Sequence, residues 1–279
     1  MTTVEMVAVL LAGVGAGGIN AVVGSGSLIT FPVLLATGMP PVTATVSNAL
    51  GVIPGSLTGA LGYREELRGQ GRRLLRLGTG ALLGGFTGAT LLLTLPAAAF
   101  ERIVPVLVGL ALVLVVLQPW LSRAVRRRRE AAAAAGEHTA DEHMASEHVA
   151  SEHAGSRPGR TRRDGGPLLY AGLTLASVYG GYFAAAQGIL YIALMGMLLD
   201  ETLHRLNAAK NVLVALVNAV AALFFLFVAD FSWTAVALIA AGSALGGHVG
   251  ARIGRRLSPT VLRGLVVAVG GVALVHLLR

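Results

Sequence analysis

Of the 22 basic residues in this 279-residue sequence, 21 are arginine; the exception, Lys210, stands inside an apolar stretch beside Asn211. An ammonium at the centre of an apolar membrane helix costs about 2.5–3.5 kcal/mol on insertion scales. Two readings stand at this point. Lys210 is a cationic partner for an anion, or it snorkels to an interface from about one turn inside its helix. A second set of residues fits anion chemistry. Gly24-Ser25-Gly26-Ser27 and Ala186-Gln187-Gly188 each precede a short apolar run. A helix starting there would present free backbone N–H groups at its positive dipole end. Ser25 and Ser27 would add hydroxyl donors, and Gln187 an amide. Equally, Gly24 and Gly26 would serve close packing. Ser47-Asn48, Asn20 and Asn218 are further polar residues in apolar surroundings. His248 could titrate in a proton-coupled cycle or be a packed or interfacial histidine, and His276 lies near the last helix. Asp200-Glu201 and His204-Arg205 read as a solvated interfacial loop.

Other chemistries find no support. There is no His-Glu-x-x-His, Gly-x-Ser-x-Gly or Gly-x-x-x-x-Gly-Lys-Ser/Thr pattern, so an enzyme is not expected. Cysteine is absent, which excludes disulfides, zinc–thiolate sites and iron–sulfur clusters. Four pentads, Glu137-His138, Glu142-His143, Glu147-His148 and Glu152-His153, invite a metal reading. A five-residue spacing advances about 140° per repeat on a helix, so the histidines would share no face. A solvated, mobile linker is the expectation, with no metal and no cofactor.

The elements that would position these residues are membrane helices. Charged residues make up 13% of the chain and hydrophobic ones 54%, against about 25% charged in an ordinary soluble domain. With aromatics at 5%, a barrel with aromatic girdles is not expected. A bilayer core about 30 Å thick needs roughly 20 apolar residues per helix. Eight stretches meet this: 4–23, 42–62, 77–95, 103–121, 168–186, 206–229, 232–250 and 260–278. Two shorter ones, 26–37 and 188–199, follow the Gly-rich and Ala-Gln-Gly motifs. The N-terminus has Glu5 and no basic residue before it, so a retained first helix is expected rather than a secretory signal. Pro32, Pro54, Pro96, Pro105 and Pro259 are expected at kinks or helix starts. The organisation expected is a first transmembrane repeat over 1–121, a low-complexity linker over 122–166 carrying 9 Arg and 7 acidic residues, and a second repeat over 167–279.

The two halves resemble each other. Gly24 stands 161 residues before Ala185, Ala44 stands 163 before Asn207, and Gly80, Gly84 and Gly88 stand 162 before Gly242, Gly246 and Gly250. Three matches in one order at nearly constant offset predict an internal duplication. Loop arginines orient it. Arg64, Arg68, Arg72 and Arg73 precede the helix holding Gly80–Gly88, whereas Arg252, Arg255 and Arg256 follow the helix holding Gly242–Gly250. The same element therefore faces opposite sides. An inverted repeat of about five segments per half follows, with the linker cytoplasmic, both termini outside and basic loops against anionic lipid headgroups rather than nucleic acid.

Asn20-Ala21-Val22-Val23-Gly24-Ser25-Gly26-Ser27-Leu28-Ile29-Thr30-Phe31-Pro32 resembles the Gly-rich signature of the sulfite exporter TauE/SafE family. So do the stretch from Pro41 to Asn48, Pro54-Gly55-Ser56, and, in the second half, Arg205 through Leu213. The likeness spans nearly all of the chain except the linker. Ala185-Ala186-Gln187 departs from it, standing where more glycine is usual. The resemblance implies a bacterial inner-membrane permease for small sulfur-containing anions such as sulfite and sulfonates. With it, the expected site is Gly24, Ser25, Gly26, Ser27, Ser47, Asn48, Gln187, Gly188, Lys210 and Asn211, holding a small anionic substrate, with His248 a candidate for proton coupling. The competing expectation is a non-transporting scaffold that docks a soluble protein through its basic linker. A homo-oligomer is compatible with either.

Overall fold

A computed structural model describes residues 1–146, 165–253 and 259–277, and these are helical with no strand. Eleven helices follow in order among the described residues: α1 (Thr3–Val22), α2 (Ser27–Ala36), α3 (Pro41–Gly51), α4 (Ile53–Gly62), α5 (Gly71–Thr94), α6 (Ala97–Ser146), α7 (Gly166–Phe183), α8 (Gln187–Leu198), α9 (Leu203–Phe225), α10 (Trp233–Ile253) and α11 (Pro259–Leu277). Glu147-His148, Glu152-His153, Arg157, Arg160, Arg162, Arg163, Gly254, Arg255 and Arg256 lie outside the described residues.

Local sequence sets the helix ends. Thr2 caps α1 through a reciprocal box: its hydroxyl accepts from the Glu5 N–H at 3.3 Å, and the Glu5 carboxylate accepts from the Thr2 N–H at 2.7 Å. Thr202 caps α9 by accepting from the Arg205 N–H. Pro41 and Pro54 stand in the first turns of α3 and α4, where the missing N–H costs nothing. Helix α6 carries Pro105 and Pro119 inside it and runs on without interruption past residue 121 to Ser146, well into the stretch expected as a linker.

Five helical stretches among the described residues are long and apolar enough to cross a membrane: α1, α5, Ala98–Trp120 within α6, α9 and Trp233–Arg252 within α10. Their outer faces carry large apolar side chains that are more than half exposed, such as Leu11, Leu83, Val116 and Leu223. A bundle with such an exterior is a multi-pass membrane protein. Helices α2 and α8 are shorter, about 15 and 18 Å at 1.5 Å per residue. Neither crosses a bilayer alone.

The expected segment 42–62 is two helices rather than one. Pro54 offers no N–H to the Leu50 carbonyl, and its ring crowds that carbonyl. The apolar run continues through this point, so composition hides the division. One bond of the continuous ladder, from the Gly55 N–H to the Gly51 carbonyl, is replaced by a side chain from α10. Ser243 Oγ accepts from the Gly55 N–H at 3.2 Å and donates to the Gly51 carbonyl at 2.8 Å. A hydroxyl inserted into the ladder in this way fixes a kink. Ser243→Ala leaves both backbone groups buried and unpaired, so unfolding in detergent should become easier by about 2 kcal/mol. A variant as stable as the wild type would remove Ser243 from this role.

Packing runs along glycine seams. Helix α1 lies parallel to α10, with Gly13, Gly17 and Gly18 against Ile239, Ser243, Gly246 and Gly250. Helix α5 lies parallel to α7, with Gly80, Gly84 and Gly88 against Thr174, Ser177, Val178 and Tyr182. Small residues let backbones approach where lipid provides no hydrophobic drive. Helix α2 folds back along α1, and α3 turns back along α2, with Thr30 Oγ1 donating to Asn48 Oδ1 at 2.5 Å.

Candidate functional site

Two reversals of the chain meet inside the bundle. The first lies between α1 and α2, where Gly24 has φ +88°, a conformation glycine adopts without a Cβ clash. The second lies between α7 and α8. There Ala184 and Ala186 take φ +62° and +57°, which costs a non-glycine residue roughly 1–2 kcal/mol each. The reversals touch. The Gly188 N–H donates to the Gly24 carbonyl at 3.2 Å, and a Cβ on Gly24 would stand 2.7 Å from the Gly188 Cα. Gly26 likewise has no room for a side chain beside the Ala16 carbonyl.

Lys210 comes to this crossing from α9. Its stem lies against Gly188, and its ammonium donates to the carbonyls of Asn20 at 2.6 Å and Ala21 at 3.3 Å. These are last-turn carbonyls of α1, the negative end of its dipole. Lys210 is seven residues into α9 and 0% exposed, so the snorkelling reading fails: the head reaches a helix end in the interior, not an interface. None of the described ion pairs includes it. Asn211 Nδ2 lies 3.5 Å from the Ala21 carbonyl, and Asn20 Nδ2 donates to Ser56 Oγ of α4 at 3.0 Å. Ser25 Oγ, Gln187 Oε1 and Asn211 Oδ1 are buried without a partner. Each such group costs about 1–3 kcal/mol and calls for an explanation, a ligand or water among them.

The expected site residues divide into those at the crossing and those elsewhere. Gly24, Ser25, Gly26, Ser27, Gly188, Lys210 and Asn211 are gathered at or next to it. Gln187 is adjacent, but its amide turns toward α7. It packs on Gly180 and donates to the Tyr191 hydroxyl at 2.7 Å, which pairs with Ser177 Oγ at 2.5 Å. Ser47 accepts from the Ser232 N–H at the start of α10, and Asn48 is held by Thr30. Neither bond reaches Lys210. His248 is exposed and lines a cavity of about 530 Å³ with Arg64, Glu65, Glu66 and Arg252 at one end of α4 and α10. The crossing residues do not line the three cavities described, near Pro32 and Ala273 and near His248. Ser56 and Tyr191 were missed as site neighbours: Ser56 meets Asn20 from 36 residues away, and the Tyr191 contact to Ser177 depends on the α7–α8 reversal.

The Asp200–Arg205 segment is a tie rather than a solvated loop. Glu201 accepts from Arg73 Nη1 at 2.8 Å and from Arg205 Nε at 2.6 Å. Gln70 Nε2 donates to the Arg205 carbonyl at 3.2 Å, and Arg205 Nη1 to that of Arg68 at 3.2 Å. The chain between α4 and α5 is thereby fastened to that between α8 and α9. Partial burial pushes the Glu201 carboxyl up, but the bonds from Arg73 and Arg205 and their charges outweigh it and hold it below the ordinary carboxylate range. A depressed folded-state value stabilises above the unfolded-state value and is lost as pH falls through the folded-state one. Wild type should therefore melt above Glu201→Gln at pH 7, with the gap closing below about pH 4. A gap independent of pH would remove the carboxylate from the tie.

The comparisons with known proteins agree with this framework. The family model for the sulfite exporter TauE/SafE matches residues 9–277. A "Probable membrane transporter protein" of Haemophilus influenzae is 24% identical over 95% of this chain and 91% of its own length. The "Probable membrane transporter protein YfcA" of Escherichia coli K12 is 25% identical over 94% of this chain and 86% of its own. No solved structure matches. With the model covering almost every described helix, the chain belongs to the sulfite exporter TauE/SafE family.

Proposed function

We propose that this protein is a secondary transporter that moves small anions of the sulfite and organosulfonate type by alternating access between two inverted repeats. The substrate is held at the crossing of the two reversals, by Gly24–Ser27, Gln187, Gly188, Lys210 and Asn211, with Ser47 and Asn48 entering as the helices move. The observation that carries this reading is Lys210, a buried ammonium with no acidic partner among the described ion pairs, set where two helix N-termini meet beside the unpartnered Ser25 Oγ and Asn211 Oδ1. The family description and the names of the relatives agree with it.

The packing supports the repeat. Helix α1 on α10 answers α7 on α5. Helices α3 and α4 on α10 answer α9 on α5, and α2 on α11 answers α8 on α6. Helices α6 and α11 are each other's counterparts and pack together. Each half then holds one hairpin, α1–α2 or α7–α8, and three crossings. An odd number of crossings inverts the second half. The arginine-rich loop at 64–76 and Arg252 gather at one end, which the positive-inside rule makes cytoplasmic. The linker is then cytoplasmic and both termini lie outside, in the bacterial inner membrane.

Flux into proteoliposomes tests the reading. Sulfite and methanesulfonate should enter saturably and well above the protein-free rate; entry no faster than into empty liposomes would end it.

A further inference from the structure

Resting on that transport reading, we propose that the crossing selects monovalent oxyanions over divalent ones of the same size. The count of charge at the site leads there. Four helix ends meet: the C-termini of α1 and α7 and the N-termini of α2 and α8. Each C-terminus carries roughly half a negative charge and each N-terminus roughly half a positive one, so the four cancel. Lys210 is what remains.

Among the described residues no other charged side chain is buried. Along α2, α3, α4, α7 and α8 there is no Asp, Glu, Lys, Arg or His. Helix α1 has Glu5 in its first turn, and α9 has His204 and Arg205 in its first turn. The phenols beside the α7–α8 reversal are Tyr179, Tyr182 and Tyr191, and α10, which packs on α1 and α4, carries His248 and Arg252, both exposed. The crossing thus holds one buried formal charge among the described residues, on an ammonium already bonded to the carbonyls of Asn20 and Ala21.

Charge balance favours an anion of equal and opposite charge. The desolvation cost of an ion grows with the square of its charge, so a dianion loses about four times as much hydration free energy as a monoanion of its size. Having entered, it still leaves one negative charge unpaired in a buried site. A sulfonate or bisulfite leaves none. The donors present, Ser25 Oγ–H and the Ser27 N–H, suit a sulfonate face that approaches with a single charge; the Leu28 and Ile29 N–H groups are already bonded to the Ser25 and Gly26 carbonyls.

Competition in proteoliposomes containing the full chain separates this from the reading beneath it. Uptake of labelled methanesulfonate is measured against unlabelled methanesulfonate, sulfamate, sulfate and methanedisulfonate at a pH where all four are fully ionised. Sulfamate controls for the methyl group, and sulfate matches methanesulfonate in size. Sulfamate should compete within a few-fold of methanesulfonate, while the two dianions need at least tenfold higher concentration. Dianions that compete as well as the monoanions overturn the inference and leave the transport reading standing. If methanesulfonate does not enter at all, both fall. In Asn211→Lys, a second cation beside Lys210 should shrink the sulfate penalty at least threefold; an unchanged penalty in a variant that still takes up methanesulfonate overturns the charge count. The wild-type comparison decides the matter even where that variant fails to fold.

Discussion

Lys210→Ala lowers anion flux by roughly tenfold to a hundredfold, which is the loss of a charged hydrogen bond of about 1.5–3 kcal/mol. The ammonium has two duties. It neutralises the end of α1 by binding the Asn20 and Ala21 carbonyls, and it supplies the positive charge at the crossing. Alanine removes both. The two losses separate in their readouts, since uncapping α1 lowers the unfolding temperature in detergent whether or not an anion is present. The charge loss appears as a rise in the half-saturating anion concentration. Lys210→Arg should restore little, because a planar five-donor fork must fit where the lysine is fully buried against Gly188. Flux unchanged in Lys210→Ala would move the substrate site away from the crossing.

The sequence disclosed the helices and the odd residue but not their meetings. Stretches such as 4–23 and 206–229 are legible because crossing lipid imposes a length and an apolar composition, both local properties. The division at Val52 was signalled only by Pro54, expected at a kink or helix start, while the apolar span 42–62 read as one segment. Hydropathy is blind to a lost ladder bond, and the residue that fills the gap, Ser243, is nearly two hundred positions away. Lys210 stood out by composition alone. Its acceptors could not be read, because backbone carbonyls carry no sequence signal and the end of α1 reaches α9 only through the tertiary fold. The misreading of Glu201 has the same origin: an Asp-Glu pair at a helix boundary looks solvated until Arg73, from the other half, is brought against it. Ala184 and Ala186 are the converse case. Alanine gives no hint of positive φ, so the reversal before Gln187 was visible only through the neighbouring Gly188.

The seam glycines carry the other large effect. A Cβ on Gly84 would overlap the Thr174 carbonyl and the Ser177 side chain, and one on Gly246 would overlap the Val14 carbonyl and crowd the Gly18 amide. Both neighbours are helix backbone or sit on it, which cannot rotate aside as a long side chain would. The helices must therefore part, losing contacts along the whole seam. Gly84→Ala and Gly246→Ala should each cost about 3 kcal/mol, the upper part of the range for overpacking, measured by unfolding in detergent. Gly109 in α6 has nothing near a Cβ, so Gly109→Ala should be neutral or stabilising by up to about 1 kcal/mol through helix propensity. The three together discriminate close approach from a general intolerance of substitution. The double variant adds a further constraint. Gly84 lies on the α5–α7 seam and Gly246 on the α1–α10 seam, with no shared partner, so their costs should add within about 0.5 kcal/mol. Equal single costs are what equivalent seams in two repeats require. If Gly84→Ala were costly and Gly246→Ala tolerated, the two seams would not be equivalent, and the inverted repeat would lose its main packing support.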